Sequence, residues 1–199
     1  TNFWPLGTVV VISPWNFPFF LPLGDIAMAL MAGNAVVFKP SEVTPLTGLK
    51  IEELCKEAGL PLNIVQTVLG DGKIGASLID QEPAKIFFTG SVATGKKIFE
   101  KASQLFIPVN LELGGKDAMI VLPDADLDQV TDALIGSAYG SAGERCMAIS
   151  VAVPVGDAVA DEIVRRLKPR VEELKIGPSL ANGMAVSYTH LTLPTNGLV

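Results

Sequence analysis

Three short runs constrain this chain more than anything else in it: Val9-Val10-Val11-Ile12, Ala35-Val36-Val37-Phe38 and Ile86-Phe87-Phe88. A strand with one solvated face alternates apolar and polar residues. These runs are apolar at every position, so both of their faces must be covered. The segments between them read as helices. Asp25 to Met31 is a short helix stopped by Gly33-Asn34. Thr44-Pro45 opens another, with Thr44 able to accept a bond from an unpaired N–H and Pro45 losing nothing in the first turn. Gly59 closes it, with Pro61 two residues on. Ile64 to Leu69 reads as a strand, Ile74 to Ile79 as a helix, Thr94 to Leu105 as a helix and Val109-Asn110-Leu111 as a fifth strand. Buried strands alternating with helices predict an α/β fold: a parallel sheet covered on both faces, with ligands bound beyond the carboxyl ends of its strands.

After residue 112 the pattern changes. Met119 to Leu122 is a strand, Asp126 to Tyr139 an amphipathic helix, Ile149 to Val155 a strand, and Val159 to Leu174 a helix that Pro169 is expected to bend. A boundary near Gly114-Gly115 predicts one domain over 1–113 and a second over 114–186. Residues 187–199 are polar and rich in Thr, and read as a non-native tail. At 199 residues the chain has room for about one domain, two at most. The absence of an initiator Met and the early first strand suggest a sequence that begins inside a protein.

Composition narrows the function classes. With 49% hydrophobic and 18% charged residues, disorder is excluded. A net charge of −6 argues against a nucleic-acid partner, since that affinity comes largely from Lys and Arg neutralising phosphates. The most apolar stretch, Phe17 to Ala32, contains Pro18, Pro22, Gly24 and Asp25 and is too interrupted to span a membrane. Two cysteines make no disulfide framework, which points to a reducing, cytoplasmic setting. The single histidine, His190, lies in the tail, so Ser-His and Cys-His catalysis are disfavoured, and no cluster has metal-ligand spacing.

Five segments could carry chemistry. Asn16, in Ser13-Pro14-Trp15-Asn16-Phe17-Pro18, follows a strand and could donate to an oxyanion or simply close an Asx turn. Lys39-Pro40-Ser41-Glu42 follows the next strand, where a cation and a carboxylate three residues apart could grip sugar hydroxyls or face solvent. Thr89-Gly90-Ser91-Val92-Ala93-Thr94-Gly95-Lys96-Lys97 resembles a P-loop in spacing but has Lys97 where a magnesium-binding hydroxyl is needed. It therefore fits a dinucleotide pyrophosphate site, or a plain helix-capping turn, better than an ATPase. Glu112, beside Leu113-Gly114-Gly115-Lys116, would become a useful general base if buried among apolar neighbours. Cys146 follows Gly143-Glu144-Arg145; a thiolate there is a nucleophile if Arg145 lowers its pKa, and an inert thiol otherwise. Cys55, within Glu52-Glu53-Leu54-Cys55-Lys56, has no such surroundings and reads as structural.

Taken together, Pro14-Trp15-Asn16-Phe17-Pro18, Lys39-Pro40-Ser41-Glu42, Phe88-Thr89-Gly90-Ser91, Glu112-Leu113-Gly114-Gly115-Lys116 and the Cys146 segment resemble the aldehyde dehydrogenase superfamily, in order and approximate spacing, over about residues 5 to 186. The resemblance implies part of a Rossmann-like cofactor domain followed by the start of an α/β catalytic domain. It implies Cys146 as nucleophile, Asn16 and the Cys146 N–H as oxyanion donors, and Glu112 as the base that activates water. Trp15, Lys39, Ser41, Glu42, Gly90, Ser91, Leu113 and Gly114 would line the cofactor site. NAD is implied, with NADP possible and Glu42 disfavouring a 2′-phosphate. The substrate would be a small-molecule aldehyde, and the parent protein a homo-oligomer. From about Leu127 to Gly156 the sequence is more similar to methylmalonate-semialdehyde dehydrogenases, which acylate CoA and typically lack the glutamate at the position of Glu112. The family's later Glu-x-Phe-Gly-Pro segment and the first part of its cofactor domain are not in this sequence, so the isolated chain is expected to be an inactive fragment.

Overall fold

The computed structural model describes residues 4–177 and the backbone of 186–187. Gly183-Met184-Ala185, His190 and all of the expected tail beyond Ser187 lie outside the described residues. The chain divides into two compact units, Thr1–Leu113 and Gly114–Val199.

The first unit is built on five strands: β1 (Thr8–Ile12), β2 (Ala35–Lys39), β3 (Val65–Thr67), β4 (Lys85–Gly90) and β5 (Val109–Leu113). They lie in the order β3-β2-β1-β4-β5, and every pairing is parallel. Helices α1 (Phe20–Met31), α2 (Pro45–Glu57), α3 (Gly72–Ile79) and α4 (Val92–Gln104) connect them. The two-sided burial demanded by the apolar runs is met by two cores. Val9, Val11, Val36 and Phe38 pack with Ile26 and Ala29 of α1 and Ile51 and Cys55 of α2. Val10, Ile12, Ile86 and Phe88 pack with Ile79 of α3 and Ile98 and Ala102 of α4. Odd-numbered β1 residues thus face one layer and even-numbered ones the other, as the period of two requires.

Three local expectations change. Helix α1 begins at Phe20 rather than near Asp25, because Pro22 falls in the first turn, where a missing N–H costs nothing. Thr44 precedes α2 but makes no side-chain cap, and its buried Oγ1 has no partner among the described residues. The Ser41 carbonyl instead accepts from the Thr44 N–H at 3.1 Å, and the Ser41 hydroxyl from the Val43 N–H at 3.2 Å. Strand β3 keeps only three residues of the expected run, since it is an edge strand paired with β2 alone. Gly33 stops α1 as expected, at φ +80°. The buried Asn34 beside it donates from its amide to the Ala29 carbonyl at 3.1 Å and accepts from Leu6 N–H at 2.7 Å and Gly7 N–H at 3.1 Å. It therefore clamps the end of α1 to the start of β1.

The second unit is smaller in core. Strands β6 (Asp117–Val121) and β7 (Ile149–Pro154) form a two-stranded parallel sheet, and β8 (Ile176–Gly177) pairs with β9 (Val186–Ser187). Helices α5 (Leu127–Leu134) and α6 (Asp157–Glu172) accompany them. Val121, Leu134 and Ile163 are its buried centre. The helix expected from Asp126 to Tyr139 holds its α form only to Leu134, then widens into a π-turn at Ile135–Tyr139 and tightens at Gly140–Gly143. Asp126 caps α5 by accepting from the N–H groups of Asp128 and Gln129. Helix α6 runs through Pro169 to Glu172. Arg166 bonds Asp128 across to α5 and Glu162 on its own helix, and Arg170 reaches Asp132 at 2.6 Å.

Candidate active site

All five strands of the first unit are parallel, so their carboxyl ends share one edge, and most of the candidate residues gather there. Asn16 follows β1. Its side-chain oxygen accepts from the Phe17 N–H at 3.1 Å. Trp15 is half-buried beside it. Just before them the buried Ser13 hydroxyl has no hydrogen-bond partner among the described residues.

Lys39 ends β2 and is 4% exposed, an unusual burial for an ammonium group. It donates to the Pro40 carbonyl at 2.9 Å and lies 3.7 Å from the exposed Glu42 carboxylate. Burial pushes its pKa down, opposed by the charges of Glu42 and Asp71. Its stem lies against α3, where a Cβ on Gly75 would sit 3.6 Å from the Lys39 Cδ. Of the two readings open for Lys39, a solvent-facing side chain is excluded. Ser41 is buried and serves the turn before α2.

Gly90 ends β4, and Ser91 caps α4 by accepting from the Thr94 N–H at 3.2 Å. This is the capping turn, and it leaves the N–H groups of Val92 and Ala93 without intrahelical partners, the arrangement that accommodates an anion. A Cβ on Gly95 would come within 2.7 Å of the Leu113 Cδ2, so this glycine lets α4 lie close against β5.

Glu112, in register with Thr89, is exposed, so the condition of burial among apolar neighbours is not met within this unit. The alternation of β5 explains it. Val109, Leu111 and Leu113 join the core beneath α3 and α4, and Glu112 is turned to the opposite face. Sequence reasoning passed over Asp25. Burial raises its carboxyl to about 6, with a further push from the Glu112 charge. The signal was there to find, since Asp25 is the one ionisable residue in Phe20–Met31.

In the second unit, Cys146 is half-buried. The loop before it is unusual. Ser141, Ala142 and Gly143 take φ values of +51°, +56° and +76°, and two of these are not glycine. Such conformations cost about 1–2 kcal/mol each for residues with a Cβ. The Arg145 guanidinium, one of the two ways left open for the thiol, is turned back over the loop. It packs where a Cβ on Gly140 would lie 2.8 Å from its Nη2, and its donors reach the Gly136 carbonyl and the Ser141 hydroxyl at 3.5 Å. Glu144 has its carboxyl pushed up by burial. Gly114 opens this unit, and a Cβ on Gly115 would lie 3.7 Å from the Cys146 carbonyl oxygen.

Comparison with known proteins decides what this arrangement belongs to. Residues 1–189 match the aldehyde dehydrogenase family. The chain belongs to the aldehyde dehydrogenase family. It is 42% identical over 185 residues to a malonate-semialdehyde dehydrogenase of Pseudomonas aeruginosa, covering 92% of this chain and 37% of that protein. The fold superposes on the crystal structure of a methylmalonate-semialdehyde dehydrogenase from Oceanimonas doudoroffii with a TM-score of 0.88 at 41% identity, covering 92% of this chain and 38% of that one. A Sinorhizobium meliloti protein assigned as a methylmalonate-semialdehyde dehydrogenase and complexed with NAD gives the same score at 43% identity and the same coverage. The chain thus spans under two-fifths of the length of these relatives. Among the described residues no helix is long and apolar enough to cross a membrane, and no group of acidic, His or Cys side chains could hold a metal.

Proposed function

We propose that this aldehyde dehydrogenase segment serves the NAD(P)-dependent oxidation of an aldehyde to a carboxylic acid through a thioester on Cys146. The observation that carries the cofactor half of this reading is Lys39. It is a buried ammonium at the carboxyl end of a parallel strand, 3.7 Å from an exposed carboxylate. A dinucleotide fits the residues at this edge. Lys39 and Glu42 supply a donor and an acceptor for the adenine ribose, the α4 N-terminus with Gly90 and Ser91 faces the pyrophosphate, and Ser13 offers a hydroxyl that lacks a partner among the described residues. Trp15, Ser41, Leu113 and Gly114 complete the lining in this reading.

The chemistry follows from the residue types. The Cys146 thiolate adds to the aldehyde carbon, and the Asn16 NH2 with the Cys146 backbone N–H stabilises the oxyanion that forms. Bound nicotinamide supplies the hydride acceptor, and loss of hydride leaves a thioester on Cys146. Glu112 takes a proton from water, whose oxygen attacks the thioester carbonyl and releases the acid and the thiolate. Glu42 accepts from ribose hydroxyls and repels a 2′-phosphate, which favours NAD over NADP.

A second reading has a specific support. The relatives named above carry the names of malonate- and methylmalonate-semialdehyde dehydrogenases, and the stretch from about Leu127 to Gly156 resembles the latter in sequence. Under that reading a semialdehyde is the substrate and CoA, rather than water, takes the acyl group. The presence of Glu112 favours water.

The test is NADH formation by a family-length chain carrying this segment. Cys146→Ser is expected to abolish turnover; retained oxidation would overturn the nucleophile assignment. Added CoA separates the readings, because faster NADH formation with an acyl-CoA product would replace hydrolysis by acyl transfer.

A further inference from the structure

The backbone of Gly140 does not require a glycine. It closes the π-turn at φ −56° and ψ 136°, a conformation open to any residue. A side chain there would instead meet the Arg145 guanidinium: a Cβ would lie 2.8 Å from Nη2, 3.0 Å from Cζ and 3.1 Å from Nη1. The glycine leaves the space in which that guanidinium lies.

From this seat Arg145 ties the strained loop to the turn that supports it. Its Nη1 donates to the Gly136 carbonyl, which also accepts from the Gly140 N–H, and its Nη2 donates to the Ser141 hydroxyl, each guanidinium bond being 3.5 Å long. Gly136 lies in the π-turn, and Ser141 is the first of three successive residues with positive φ. One planar cation therefore spans the point where the chain leaves the turn and enters the left-handed loop. Inside the loop the Glu144 N–H donates to the Ser141 carbonyl at 3.0 Å. Beyond it the Arg145 carbonyl accepts from the Ala148 N–H at 3.1 Å, closing a turn whose second residue is Cys146. Arg145 thus holds the loop through its side chain and starts the turn that carries the thiol through its main chain.

We infer that Arg145 is a positioning residue for Cys146: its guanidinium, seated on Gly140, fixes the left-handed loop and with it the place from which the thiolate meets the aldehyde carbon. This rests on the reading of Cys146 as the nucleophile. Arg145 is exposed and its two bonds are long, so it guides the loop more than it stabilises the unit. Attack on a carbonyl depends steeply on approach geometry, so a released loop shows in the rate of the chemical step.

The experiment measures the single-turnover burst of NADH in a family-length chain carrying this segment, beside the aldehyde KM and the iodoacetamide labelling of Cys146 located by peptide mapping. Gly140→Ala keeps the arginine but displaces it, because the clashing atoms are the free end of a flexible side chain. It and Arg145→Ala should each slow the burst about tenfold at unchanged KM, a loss within reach of a misplacement of about 1 Å. Iodoacetamide needs no guided approach and should label Cys146 in both variants at least as fast as in the native chain. Arg145→Lys should recover part of the burst, since a point charge reaches one acceptor but not both. Gly136→Ala, with nothing within 4 Å of the new Cβ, should keep the native burst. Native bursts in both Arg145→Ala and Gly140→Ala would overturn the inference. Labelling that falls in step with the burst would also overturn it, by putting the guanidinium to work on the thiol itself. So would a loss confined to the KM of an aldehyde bearing a carboxylate, which would give the guanidinium to the substrate. All three leave Cys146 as the nucleophile, whereas turnover retained in Cys146→Ser removes that reading and this inference together.

Discussion

The two units of this chain use the same parallel pairing to different depth. In the first, five strands are sandwiched between helices, and Val11, Phe38 and Ile86 are fully buried. In the second, two strands carry Ile120 at 68% exposed and Val153 at 44% exposed, around a centre that among the described residues is Val121, Leu134 and Ile163. The second unit relies more on charged ties between helices, Arg166 to Asp128 and Arg170 to Asp132. The residues at the carboxyl edge sit on the five-stranded sheet, and Cys146 follows a strained loop in the second unit.

Core truncation should expose that contrast most strongly. Phe38→Ala is expected to cost about 3–5 kcal/mol in chemical denaturation, because the ring is wholly buried. Ile120→Ala should cost well under about 1 kcal/mol in the same measurement, being mostly exposed. Equal losses would mean that Ile120 is covered in solution. Glycine substitution is the next test, within the first unit. Gly95→Ala meets the Leu113 side chain and should lose about 1–3 kcal/mol. Gly24→Ala, on α1 with open space around it, should gain about 0.5–1 kcal/mol.

Titration sharpens the comparison further, since Asp25 in the first unit and Glu162 in the second should respond to acid in opposite directions. The Asp25 carboxyl is raised from 3.8 to about 6, so the folded state binds its proton more readily than the unfolded chain. Its contribution therefore improves as pH falls from about 6 to about 4, and Asp25→Asn should stabilise the chain at pH 8 by about 1 kcal/mol, discounted because the group is half exposed. Glu162, held by Arg165 and Arg166, is lowered from 4.5 to about 2. Its contribution is present above about 4.5 and lost as pH falls toward about 2. Hydrogen exchange from pH 8 to pH 3 should show α6 loosening first. Protection lost first in β1 or β4 would contradict the comparison.

The apolar runs determined most of the first unit by themselves. Consecutive Val and Ile admit no solvated face, so a parallel sheet between helices follows before any contact is known. The motifs were equally legible, because Asn16, Lys39, Glu42, Gly90 and Glu112 each lie at or just past the end of a recognisable strand. What the tertiary structure decided was orientation and surroundings. Lys39 reads as a surface lysine until α3 closes over its stem. Arg145 is adjacent to Cys146 in sequence yet turns back over Gly140, since neighbouring side chains diverge. Asp25 is raised mainly because the packing of α1 half-buries it, with a smaller push from the Glu112 charge, far along the chain. Local patterns fix which residues form an element. Long-range packing fixes which charges lose their water and which neighbours they meet, and that sets their chemistry.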